Sequence, residues 1–340
     1  MILSASGQSA VELKQQKLAD WQIGTANYSG ITPIGDNRYA VVSDKEPQDG
    51  FFLFRIDQNR QTGEVMSVYM DGFYGNPEAA VDAQGMSVRD CEGIAFHPAS
   101  GTLFIAGEGD QEILEYNQNG VPTGRRLSVP EQFGLKKIQP NGGFESLAYC
   151  PQTKFFWTTT ENTLIADATD TDARVVMLDG RVRLLSFGDD LQAAKQYAYR
   201  VDKSEMVTTG KYYENGVSDI CALPDGRLVV LERELNVPAG YVGAQCTTKL
   251  YVVNPTQAQP VSAKTSLQSL TADKFLTKQL LLKFTTSLSP LKMNFANYEG
   301  LCLGSKLDDG RQTLLLINDS QASFGKGPFH LKDYIKVVIL

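Results

Sequence analysis

Short apolar runs alternate with Gly, Pro, Asp and Asn along the whole chain, and the pattern repeats. One unit recurs: a small or acidic residue, a short apolar strand, a turn, a second apolar strand, then a charged residue. The most complete copy is Arg89 to Asp110. There Ile94-Ala95-Phe96 and Thr102 to Ala106 form the strands, His97 to Gly101 forms the turn, and Glu92 and Glu108 stand at the open ends. Such a run predicts a β-hairpin. Further copies begin at Ser29-Gly30, Glu145, Asp219 and Glu299, each followed by two more strand-like runs. The anchors Gly30, Glu92, Glu145, Asp219 and Glu299 are 62, 53, 74 and 80 residues apart.

Four short strands per period predict an all-β fold, a β-propeller of five blades, with room in the long periods for an irregular sixth. The last period supplies three strands, ending on Tyr334 to Leu340. Leu18 to Ile23 is a spare strand near the N-terminus, so N- and C-terminal strands together would close the ring and cover its edges. Residues 1–16 read as a flexible N-terminal segment and 17–340 as one propeller domain. Stretches 74–88 and 256–275 read as long connections, the second with room for a short helix. Trp21 and Trp157 are expected between blades. His97, in a turn on the far face, is expected to be structural, and Asn141-Gly142-Gly143 to be a tight turn whose N–H groups could meet an anion.

Charge then changes the picture. In a propeller, the residue before the first strand and the residue after the second lie at one mouth of the central channel. Glu92, Glu145, Asp219 and Glu299 should therefore ring that mouth, with Asp44, Glu108, Glu161, Glu232 and Asp319 just outside. Nine carboxylates around one opening cannot all stay ionised uncompensated. A hard divalent cation on oxygen ligands, calcium first, is the economical answer. Lys45, Arg89 and Arg233 are the bases placed to pair with these acids or to hold an anionic substrate.

Composition excludes more than it selects. The 340 residues carry a net charge of −7, which disfavours nucleic acid as a partner. The five cysteines show no CxxC spacing. No membrane-spanning run is present, and the N-terminus does not read as an intact signal peptide. GxSxG, HExxH, P-loop and GxGxxG motifs are missing, so a Ser-His-Asp hydrolase is hard to build.

The motifs DCEGIAF, GEGD with QEILEYN, NGGFESLAY, TTEN, RVRLLSF with QYAYRVD, GVSDICALPDGRLVVLERE and NYEGL together resemble the esterase-like phytase domain family, from about Ser29 to about Leu316. The resemblance implies a β-propeller and metal-dependent hydrolysis of phosphoric esters, in a periplasmic, cell-surface or secreted bacterial setting. By position, Glu92, Glu145, Glu161, Glu232 and Glu299 match the family's acidic motif points. The first reading is thus a calcium-dependent phosphoesterase. Glu92, Glu145, Asp219, Glu232 and Glu299 would hold the metal, Glu108 or Glu161 would take a proton from water, and Lys45, Arg89 and Arg233 would bind the phosphate. Two alternatives stay open: a lactonase-like metal-dependent propeller, which needs an apolar pocket and few bases, and a non-catalytic binding propeller with a structural cation.

Overall fold

The recurring hairpins are realised as five antiparallel sheets in the computed structural model, which describes residues 10–205, 210–321, 323–325 and 329–340. The first blade runs Tyr28–Gly35, Arg38–Ser43, Gly50–Gln58 and Val65–Gly75. The second runs Cys91–His97, Thr102–Gly107, Ile113–Tyr116 and Pro122–Arg126. The third is Ala148–Cys150, Phe155–Thr158, Arg181–Gly188 and Ala193–Arg200. The fourth has long strands throughout, Tyr212–Ala222, Leu228–Val237, Gln245–Val253 and Lys278–Ser287. The fifth is Asn297–Lys306, Gln312–Asp319 and Tyr334–Ile339. Innermost strands touch in cyclic order, the fifth blade's against the first's, so the ring is closed. No sixth sheet exists among the described residues.

Closure comes earlier in the chain than the apolar pattern predicts. Val11–Glu12 and Gln16–Lys17 pair with Tyr334–Ile339, whereas Leu18–Trp21 is a 3-10 turn. Leu18 is apolar because it plugs the core beneath that turn, not because it lies in a strand. The outermost strand therefore begins before residue 17, while residues 1–9 lie outside the described residues. Connection 256–275 holds 3-10 turns at Pro255–Gln257, Leu267–Ser269 and Ala272–Lys274. One α-helix, Ala173–Asp179, was not evident from the apolar pattern. It is capped by Asp172 and has one buried side chain, Val176, too few to leave a period.

The core is divided into wedges between blades. Tyr28, Phe54, Leu315 and Ile317 fill the junction of the fifth and first blades, with Trp21 packed against it; Trp157, Leu184, Val217 and Val230 fill that of the third and fourth. His97 lies in the second-to-third wedge region, edge-on to Phe104 and Tyr149, its Nδ1 2.6 Å from Ser100 Oγ. All five cysteines are buried and free. Around the channel the inner strands approach closely. A Cβ on Gly30 would lie 2.3 Å from the carbonyl oxygen of Glu92, and one on Gly93 2.5 Å from the amide nitrogen of Leu147. The Gly at these two equivalent positions is thus a packing requirement.

Candidate metal centre at the channel mouth

Strand geometry decides which acids reach the channel. In the first, second, fourth and fifth blades the innermost pairing is broken by a register shift, between Tyr28 and Ile31, Cys91 and Ile94, Val217 and Asp219, and Tyr298 and Gly300. In the third blade the strand is interrupted there, leaving a single bridge from Phe144 to Thr160. A bulge adds a residue and re-aims a side chain. Here it turns Glu92 and Glu299 into the channel, and the interruption does the same for Glu145.

These three acids line a cavity of ≈ 380 Å³ together with Asp44, Asp90, Glu108, Glu161, Glu214 and Asp319. Lys45 and Arg233 are its basic residues. Carboxylate oxygens of Glu92, Glu108 and Glu145 lie within 4.8 Å of one another, and so do those of Asp44, Asp90 and Glu92. Glu92 and Glu145 are 7% and 9% exposed. Among the described residues neither carboxylate receives a hydrogen bond or ion pair. Burial, reinforced by neighbouring carboxylates (Glu145 and Asp44 for Glu92, Glu108 and Glu161 for Glu145), pushes both well above the usual carboxylate range. Glu108 is raised by burial but accepts a 2.8 Å hydrogen bond from Gly143 N–H. The expected turn at Asn141-Gly142-Gly143 therefore gives that N–H to a carboxylate of the chain itself.

The two cavity bases are already engaged. Lys45 Nζ lies 2.8 Å from both Asp44 and Asp90. Arg233 is buried between Glu161 at 2.6 Å, Glu214 at 2.9 Å and Glu299. Burial pushes Glu161 up to about 7 even against the attraction of Arg233. Burial, with Asp44 adding to it, also raises Asp319 to about 7.

Three of the expected site residues lie elsewhere. Asp219 is buried, accepting N–H groups of Ile220 at 2.8 Å and Leu301 at 2.6 Å; it ties the fourth and fifth blades together at their inner strands. Glu232 precedes Arg233 by one residue, and in a strand that one step reverses the face. Its carboxylate accepts from Tyr199 Oη at 2.6 Å and Lys278 Nζ at 2.5 Å, away from the cavity. Arg89 is sequestered by Asp110 at 2.6 Å and the Ile105 carbonyl at 2.9 Å. In exchange the structure adds Asp90 and Glu214, which the repeat alignment missed because neither occupies one of the repeat's two acidic positions. Their signal in the sequence is proximity to a base: Asp90 follows Arg89, and Glu214 lies two positions before Gly216, the strand partner of Arg233.

The opposite wall is apolar. Strands Tyr212–Ala222 and Leu228–Val237 extend beyond the hairpin core, pairing Tyr212 with Val237 and Glu214 with Leu235. Alternation then puts Arg233, Leu235 and Val237 on the cavity side. Glu234 and Asn236 face the other way, toward Tyr213 Oη and Gly210 N–H. Leu235 and Val237 join Ala244, Leu288 and Phe295 in a cluster separate from the wedges between blades, with Tyr241, Phe329 and Leu331 against it.

Five bulged or interrupted hairpins presenting acids to one mouth, on a closed five-bladed ring, coincide with a family match. The family described as phytase-like, esterase-like activity of phytase, matches residues 23–321. The chain belongs to the phytase-like family. No curated protein sequence matches significantly. Among solved structures the chain is similar to an endo-arabinase from Bacteroides thetaiotaomicron, at 10% identity and a TM-score of 0.47, covering 94% of this chain and 95% of that one. It is also similar to a luciferin-regenerating enzyme, at 12% identity and 0.43, covering 96% and 95%. A streptogramin B lyase is similar at 11% identity and 0.36, covering 99% and 100%. No helix among the described residues is long and apolar enough to cross a membrane.

Proposed function

We propose that this phytase-like propeller is a metal-dependent ester hydrolase working at the channel mouth. The observation that carries the reading is the pair Glu92 and Glu145: buried residues whose carboxylates converge in the cavity without a donor among the described residues. An uncompensated buried carboxylate is costly, and its ordinary remedy is a counter-charge. Among the described residues the donor set is oxygen only, with no His or Cys lining the cavity, which fits a hard cation such as calcium. Glu92, Glu108 and Glu145 would hold it, with Glu299 and Asp319 nearby in the same mouth.

A divalent cation there would lower the pKa of water and polarise the ester oxygen. The chain's own residues supply the rest. Glu161, fixed on one side by Arg233, is placed to take the proton of the attacking water and to pass it to the leaving group. Arg233 orients Glu161 and offsets charge on the reacting oxygen. Lys45 offsets charge on the opposite side of the mouth.

Both a phosphoric and a carboxylic ester fit this scheme. Lys45 and Arg233 speak for the phosphoric ester, which is also what the family name suggests; the apolar wall speaks for the carboxylic. Activity toward either para-nitrophenyl phosphate or para-nitrophenyl acetate, measured after chelation and again after calcium is restored, tests the reading. Loss and recovery of hydrolysis with calcium is expected. Hydrolysis that persists in chelator, or none under any condition, would contradict it.

A further inference from the structure

The cavity has two unlike halves. One is a ring of carboxylates. The other is the apolar face of the fourth blade's overhang, where Leu235, Val237, Leu288 and Phe295 line the space and Tyr241 packs on half-exposed Phe324 at the lip, ring centroids 4.9 Å apart. Metal binding does not explain this second half. A structural cluster closing the blade would not need to be open to the cavity, and its lip would not need to show a 46%-exposed Phe.

Charge argues in the same direction. Nine carboxylates and two bases line the cavity, and each base already faces two or three of those carboxylates. Without a bound cation a doubly charged phosphate monoester would enter against this field, whereas an uncharged ester would not, and one divalent cation offsets only two of the nine carboxylates. Arg233, Leu235 and Val237 follow one another on the same strand face, so the acidic and apolar halves meet beside Arg233.

We infer that the site takes an uncharged carboxylic ester, open-chain or lactone, whose apolar acyl chain lies along Leu235, Val237, Leu288 and Phe295 while its carbonyl lies at Glu92 and Glu145. This rests on the hydrolase reading above and names its substrate class. The step is balanced without an oxidant or reductant. The water oxygen bonds to the acyl carbon, the bond from that carbon to the alcohol oxygen breaks, and the water proton passes through Glu161 to the departing alkoxide. The products are a carboxylic acid and an alcohol.

Two measurements on the 340-residue chain test this. The first compares para-nitrophenyl acetate, butyrate and octanoate with para-nitrophenyl phosphate in calcium. Each methylene moved onto the wall is worth about three- to four-fold, so kcat/KM should rise roughly 10-fold from acetate to butyrate, with the phosphate below both. Phe324→Ser with Tyr241→Ser, at the half-exposed lip, should flatten the chain-length series. The second titrates 2-decanone, an uncleavable uncharged carbonyl compound, into chelated protein by calorimetry. It should bind, and Leu235→Asp should weaken it at least about 10-fold. Circular dichroism would establish that the variants fold.

If the ketone does not bind and chain length has no effect, the inference is overturned, even where calcium-dependent phosphate hydrolysis upholds the metal reading. If the ketone binds and chain length matters but calcium does not, the inference stands and the metal reading fails.

Discussion

Two acid-rich regions of the same propeller meet on one strand, Leu228–Val237, and are opposite in character. At the channel mouth, Glu92 and Glu145 are buried without donors among the described residues, and Glu161 is held up at about 7. On the outer side of the fourth blade, Glu232, Asp202 and Glu205 are woven among bases and hydroxyls. Lys278 reaches Glu232 at 2.5 Å and Asp202 at 2.7 Å. Lys249 reaches Asp202 at 3.1 Å and Glu205 at 2.8 Å. Despite burial, Lys278, Tyr251 and Lys249 hold Asp202 down to about 2. Acids that are already paired need nothing more. Acids converging without partners are the ones that call for a ligand. The boundary between the regions is one residue wide, from Glu232 to Arg233.

The contrast can be broken most severely at Arg233. Removing it leaves Glu161, Glu214 and Glu299 without their shared cation, and breaking a buried ion pair from one side costs about 3–5 kcal/mol. Arg233→Ala in chelator should lower stability by that much in urea denaturation. A loss under about 1 kcal/mol would mean the mouth is more hydrated than its burial implies. Next comes Asp219→Asn. It sets an NH2 group against the N–H of Ile220 or Leu301, a mismatch worth about 1–3 kcal/mol. Calcium affinity should not change, because Asp219 does not reach the cavity; a weakened affinity would return it to the ligand set. Glu232→Gln, which sets an NH2 group against the Asp202 N–H or Lys278, should cost a similar amount, about 1–3 kcal/mol, again without effect on calcium.

The contrast also shows in pH dependence. The folded chain binds protons at Glu161 and Asp319 up to about 7, against ordinary values of 4.5 and 3.8. The fold therefore holds more protons than the unfolded chain across that window, and stability must fall as pH rises through it. Metal-free protein should melt lower at pH 8 than at pH 5. Added calcium should raise the melting temperature more at pH 8, where the carboxylates are ionised. Parallel melting curves at the two pH values, with and without calcium, would show the mouth acids to be already compensated.

Much of this architecture was legible in the sequence. Five hairpins at regular spacing gave the blade count because each turn is marked by Gly, Pro or Asp and each strand by an apolar run. Glu92, Glu108, Glu145, Glu161, Glu299, Lys45 and Arg233 do meet at one cavity. What stayed hidden depends on local backbone detail. Bulges that aim Glu92 into the channel leave no mark in a residue-by-residue alignment, so Asp219 looks equivalent although its carboxylate is consumed by backbone N–H groups. Glu232 matches an acidic motif point, yet the two-residue period of its strand turns it away. The apolar wall was unreadable because Leu235, Val237, Leu288 and Phe295 come from separate strands and loops, each looking like ordinary core.

Calcium titration of chelated protein at pH 8, by calorimetry, tests the central claim most directly. Wild type should release or absorb heat with a saturable isotherm, and Glu92→Gln with Glu145→Gln should lose at least about 100-fold in affinity, at or above the upper end of the about 10- to 100-fold that losing an outer-shell partner costs. Absence of binding in the wild type, or equal affinity in the double variant, would contradict a metal centre built on those two carboxylates.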